Sequence, residues 1–140
     1  MPRPPISIEQ AVVAILTRDQ RYAPGAYFAV KESLDVAIEK NSPGSHNHVS
    51  GPELLAGFRT YMVNEYGPMS GTLLDAWGMR VCRDVGEIVF NFIKAGYFGK
   101  QESDKPEDFE GDFTFYDAFR RPFEPSGKGL GSESSGGVGE

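Results

Sequence analysis

A single cysteine, Cys82, stands among the 140 residues, so no intramolecular disulfide can staple the fold. No run of apolar residues approaches the roughly 18 that a membrane-spanning helix needs. The opening residues, Met-Pro-Arg-Pro-Pro, lead into an amphipathic segment instead of the apolar stretch of a secretory signal. Basic runs are equally scarce. None is longer than Arg120-Arg121, whereas a phosphate backbone is held by concentrated positive charge. These absences exclude a disulfide scaffold. They predict a soluble cytoplasmic protein without a membrane partner, for which nucleic acid is a disfavoured one.

Signatures of catalysis are missing too. Gly67-Pro68-Met69-Ser70-Gly71 has the letters of a nucleophile elbow, but its serine falls one position late for Gly-x-Ser-x-Gly. No glycine-rich loop ends in the Lys-Ser/Thr that cradles phosphates. His46 and His48 form the only histidine pair, short of the three or four ligands that zinc takes. Cys82 and the carboxylates, the other candidates for such a set, are remote in sequence. The acids near residue 110 lack the Asp-x-Asp/Asn-x-Asp/Asn-Gly start and the distal Glu of a calcium loop. No catalytic residue, cofactor or metal ligand is assigned.

What the chain does have is charge in one place. Residues 1–100 balance ten basic against ten acidic side chains. Residues 101–117 carry Glu102, Asp104, Glu107, Asp108, Glu110, Asp112 and Asp117 against Lys105 alone, which accounts for the whole net charge of −6. Phe109, Phe113, Phe115 and Phe119 are interleaved with these acids. Acid alternating with aromatic can grip a basic, apolar groove on a partner. The plainer alternatives are a solvated connector, and rings that fold back over the core while the acids stay in water.

Helix signals organise the rest. Ser7-Ile8-Glu9-Gln10 reads as a capping box, with Ile8, Val12, Ile15 and Leu16 following at helical spacing. Pro24 suits a first helical turn, and Tyr27, Val30, Leu34, Ala37 and Ile38 line one face up to about Asn41. Ser50-Gly51-Pro52-Glu53 is a second box, opening a helix that reaches Gly67-Pro68. A short helix with Leu73, Leu74 and Trp77 inward ends at Gly78. Asp84-Val85-Gly86-Glu87 reads as a third box, with Asp84 as the cap of a helix ending near Gly96. Beyond it, Tyr97–Lys100 and the alternating Phe113–Tyr116 pattern read as paired strands, with a last helical turn over residues 116–121.

The fold class is therefore mainly α, about five helices with a candidate C-terminal β-hairpin. Residues 6–123 form one domain behind a short extension at 1–5. The tail at 124–140 holds six Gly and four Ser, with Leu130 and Val138 as its only aliphatic side chains. It is expected to stay disordered. Residues 51–116 have the outline of a winged helix, with 84–96 in the recognition position. The chemistry suits DNA poorly, because the wing would carry the acidic segment and the helix offers only Asn91 and Lys94 to base edges.

Four strings carry a resemblance: His-Val-Ser-Gly-x-Glu-Leu-Leu at 48–55, Tyr66-Gly67-Pro68-Met69, Trp77-Gly78-Met79 and Asp84-Val85-Gly86-Glu87-Ile88-Val89-Phe90-Asn91. They continue through Gly99-Lys100 and Asp108-Phe109 to Asp117-Ala118-Phe119. Together these resemble a conserved hypothetical protein family of Planctomycetes and Verrucomicrobia. The resemblance implies a bacterial cytoplasmic protein and carries no activity or site residue with it. From the residues themselves, the leading expectation is a protein-interaction module, an adaptor or regulatory subunit. Its partner contacts would be Glu107, Asp108, Phe109 and Asp112, with Arg120 and Arg121 as a second pair. The alternative is a nucleic-acid-binding winged-helix regulator using Asn91, Lys94, Lys100, Arg80 and Arg83.

Overall fold

The computed structural model describes residues 6–41, 49–98 and 109–125. Local sequence sets the helix starts. Ser7 accepts from the Gln10 amide at 3.0 Å while its own N–H donates to Gln10 Oε1 at 2.9 Å, and α1 runs Ile8–Leu16. Ser50 and Glu53 make the same exchange at 3.2 and 2.8 Å and open α3, Gly51–Tyr66. Each box satisfies two amides that the first turn leaves without partners. Between them, α2 spans Pro24–Asn41.

The stops are equally local. α4, Ser70–Trp77, ends where Gly78 N–H donates to Asp75 O (3.1 Å) and Met79 N–H to Leu74 O (2.9 Å). α5, Cys82–Lys94, ends the same way, with Gly96 N–H to Ile93 O at 3.0 Å and Tyr97 N–H to Phe92 O at 2.9 Å. This crossed pair of bonds is the Schellman arrangement, which closes the otherwise open carbonyls of a last turn. Its usual apolar contact is present, since the Tyr97 and Phe92 rings lie 5.1 Å apart.

Two expectations need correction. α5 begins two residues before Asp84, which is its third residue and not its cap. The carboxylate reaches back to accept from the amides of Arg80 (2.7 Å) and Val81 (3.1 Å), the acidic half of a capping box without the Ser or Thr half. The strand pair also fails to form, and no strand occurs among the described residues. The amides of Tyr97 and Phe98 both turn to Phe92 O (2.9 and 3.3 Å) and are not presented to a ladder. On the other side, Thr114 accepts from the Asp117 amide at 3.0 Å and caps α6, Phe115–Phe119. Gly99 and Lys100 lie outside the described residues. Among the described residues, then, the winged-helix outline shows no wing strand.

The molecule is thus mainly helical: α1–α5, the single turn of α6, and 3-10 turns at Gly67–Met69 and Arg121–Phe123. α2 and α3 form the most extensive pair. They approach closely because small residues meet, Gly57 lying against Ala37 and the Ser33 carbonyl. Ser33 is fully buried, and its hydroxyl is satisfied by Ala29 O at 2.7 Å. α5 supplies Val85, Ile88 and Phe92 to the same core, where Phe92 meets the Tyr27 ring edge-on at 5.4 Å. Phe58 is core. Trp77 is half-buried over Gly25 and edge-on to Tyr66 at 5.9 Å. No helix among the described residues is long and apolar enough to cross a membrane.

Candidate functional site

The C-terminal part of the acidic segment packs on α3, α4 and α5 through its rings. Phe109 and Phe119 are buried, and Phe113 and Phe115 are half-buried. Phe119 meets Phe58, Phe113 and Phe115 edge-on at 6.0, 6.3 and 5.2 Å. Phe115 also stacks on Phe58 at 6.1 Å. Phe109 is therefore a core side chain and not an exposed contact, because its ring fills the space left by Gly86 on α5. Carboxylates from the same stretch point the other way. Glu110, Asp112 and Asp117 are all exposed. Apolar rings gain by leaving water, while an unpaired carboxylate loses heavily by doing so, so alternation along the chain becomes separation in space.

The other expected contacts sort as follows. Glu107 and Asp108 lie outside the described residues, as do His46 and His48. Arg120 is exposed and donates to Asp75 Oδ2 at 2.6 Å, with its stem lying over Gly71 of α4. Arg121 faces Asp117 at 3.5 Å, with its guanidinium 5.5 Å from the centre of the Tyr116 ring. Arg59 lies over the Phe113 ring at 5.0 Å. Among the described residues, the cations nearest the segment are thus engaged within the chain. Glu110 and Asp112 form no ion pair among the described residues.

A second polar cluster, absent from the sequence reading, joins the loop after α1 to α5. Arg21 forks onto Asp19, with Nη2 at 2.8 Å and Nε at 3.1 Å, and also reaches Glu87 at 3.4 Å. Asn91 donates through its amide nitrogen to Asp19 Oδ2 and to Tyr27 Oη, each at 3.0 Å. Tyr22 Oη donates to Asp84 Oδ1 at 2.6 Å. The Arg21 fork holds the Asp19 carboxyl well below the usual range, against partial burial, and the Asn91 amide adds to this. Burial, then the bond to Asp84, pushes the Tyr22 phenol up. Every member of the cluster has a partner, so it works as a tie between distant elements. Asn91, only 2% exposed and donating inward, is not presented to a base edge. The one sequence signal was a polar Asn within the otherwise apolar run Ile88–Ile93. Among the described residues, no group of three or more His, Cys, Asp or Glu side chains could hold a metal ion.

Cys82 lies under the segment, and its thiol donates to Phe113 O at 3.3 Å. Burial pushes the thiol up to about 11, with Asp112 and Glu110 adding to the shift. An unfolded chain ionises its thiol first, near about 8.5. The stability contributed by the neutral thiol is therefore complete below that pH and is lost as pH rises towards 11. Between about pH 8 and 10 the unfolding free energy should fall by on the order of 1–2 kcal/mol from this group. Urea unfolding at both pH values checks it: Cys82→Ala should flatten the slope, and an unchanged slope would assign it elsewhere.

No protein-family model, curated protein or solved structure matches the chain. Fold and surface together define a small helical domain with a negatively charged segment anchored by its own aromatic residues.

Proposed function

We propose that the protein is a cytoplasmic interaction module, an adaptor or regulatory subunit that engages a basic surface of a protein partner through the acidic-aromatic segment 101–117. The observation that carries this reading is the division within one stretch of chain. Phe109, Phe113, Phe115 and Phe119 face the helices, while Glu110, Asp112 and Asp117 face water. Rings anchored in the core cost the partner little ordering entropy, because the residues between them are already held. The concentrated negative charge steers a basic partner and suppresses acidic ones. Recognition on this reading is electrostatic, with Arg120 and Arg121 contributing at its edge.

The test is affinity capture from host lysate, with and without nuclease, comparing the wild-type chain with the triple variant Glu107→Gln, Asp108→Asn, Asp112→Asn. Partner recovery at low salt should drop about tenfold or more in the variant, and wild-type recovery should itself fall as salt is raised. The melting temperature should hold, since the described member of the three, Asp112, is exposed and forms no ion pair among the described residues. Equal recovery by both proteins would reduce the segment to a solvated connector. Partners that disappear with nuclease would revive the nucleic-acid reading.

A further inference from the structure

Three half-buried rings form a row where α3 and α4 meet α2. Tyr61 and Tyr66 lie 6.3 Å apart with their planes at 81°, and Tyr66 and Trp77 lie 5.9 Å apart at 83°. The Trp77 indole lies flat on Gly25 of α2, where a Cβ would stand 2.5 Å from Nε1, 2.6 Å from Cε2 and 2.9 Å from Cζ2. Phe28, 38% exposed, is one helical turn beyond Gly25, and Glu32 is one turn beyond Phe28. Burial first, then the Tyr66 hydroxyl, pushes the Tyr61 phenol up to about 12, and Glu65 and Glu32 add to the shift. Both carboxylates are exposed and so flank the Tyr61 end of the row. Glu32 faces Lys31 at 3.8 Å, although Asp35 holds that ammonium more closely at 2.7 Å. Glu65 forms no ion pair among the described residues. The rings of the acidic segment pair with Phe58 and with one another, not with this row.

Rings set edge-on present steps instead of a flat plate. Each step is close to the rise of two residues in a polyproline II helix, about 6.2 Å. Such a helix is ordered before it binds, and aromatic-lined grooves are where proline-rich segments dock. Its carbonyls have no internal donors. The Trp77 indole N–H has no acceptor among the described residues and can supply one of them. Glu32 and Glu65 add a preference for positive charge at one end.

We propose that the Tyr61–Tyr66–Trp77 row, with Phe28 beside it, docks a proline-rich segment of a protein partner whose basic side chain lies at Glu32 and Glu65. This goes beyond the reading of the acidic segment and stands without it, because no residue of 101–117 takes part.

Trp77 is the one tryptophan of the chain, so its fluorescence reports the site directly. The full-length protein is titrated with capped proline peptides of about twelve residues carrying one arginine at successive positions, and with the same peptides in which alanine replaces proline. At least one proline peptide should give a change that saturates below about 1 mM, and its alanine counterpart should bind about tenfold or more weakly. Glu32→Gln with Glu65→Gln should weaken the proline peptide about threefold or more at low salt. Tyr66→Ala should weaken it about tenfold or more, and Phe28→Ala, at an exposed position, about threefold or more with the melting temperature held. If Tyr66→Ala loses its helical signal, Phe28→Ala decides. The triple variant Glu107→Gln, Asp108→Asn, Asp112→Asn should bind as wild type does, which separates this site from the acidic segment. The site is overturned if no proline peptide saturates, if the alanine peptides bind equally well, if the folded ring variants bind as wild type, or if the triple variant loses the binding.

Discussion

Phe119→Ala is expected to lower the unfolding free energy by about 4 kcal/mol, the upper part of the range for deleting a buried aromatic side chain. Phe119 is 1% exposed, and its ring meets those of Phe58, Phe113 and Phe115. Such edge-on pairs add to plain burial, though not additively when they share one ring. The five residues of α6 are too few to stand as a helix alone. Losing the ring therefore also loosens Ala118, the Thr114 cap and the Arg120–Asp75 contact. Urea unfolding measures the change. A loss below about 1 kcal/mol would mean that α6 is not part of the cooperative core.

Gly78→Ala is expected to be comparably severe, about 3 kcal/mol. Gly78 has φ +85°, in the left-handed region that strains any side chain. An added Cβ would also collide with the Arg21 carbonyl, which is backbone and cannot swing aside. The collision falls at a junction, because Ala23 N–H donates to Trp77 O at 3.1 Å and ties the start of α2 to the end of α4. Arg21 and Tyr22 beside it reach Asp19, Glu87 and Asp84. Moving that loop therefore disturbs the polar tie as well as the turn. Thermal unfolding followed by circular dichroism should show a large fall in melting temperature, and a near-wild-type value would contradict the close approach of the two backbones.

The helix ends were legible because their causes are short-range. Ser7 with Gln10 and Ser50 with Glu53 act across three residues, and Gly78 announces a stop by its own backbone freedom. Asp84 misled because an acid serves either as a cap or three residues inside one, and only the finished helix tells which. Phe113–Tyr116 alternates like a strand, yet Phe115 and Phe119 are also four apart, and the ring of Phe58 selected the helical spacing. Asn91 was illegible for a different reason. Its partner Asp19 lies 72 positions away, and no local pattern encodes such a meeting. For the acidic segment, the charge was plain in the sequence. The inward turn of Phe109 was one of two open outcomes, decided by the bare faces at Gly86 and Gly111.

On the proposed function, the rings in this stretch hold the fold while its acids are left for contact. The direct measurement is the unfolding free energy of the triple variant Glu107→Gln, Asp108→Asn, Asp112→Asn beside that of Phe119→Ala, by urea titration in one buffer. The triple variant should stay within about 0.5 kcal/mol of wild type, or gain slightly as like charges are removed, while Phe119→Ala loses about 4 kcal/mol. A triple variant that loses as much as the ring variant would make the carboxylates structural, and the docking surface would have to be sought elsewhere.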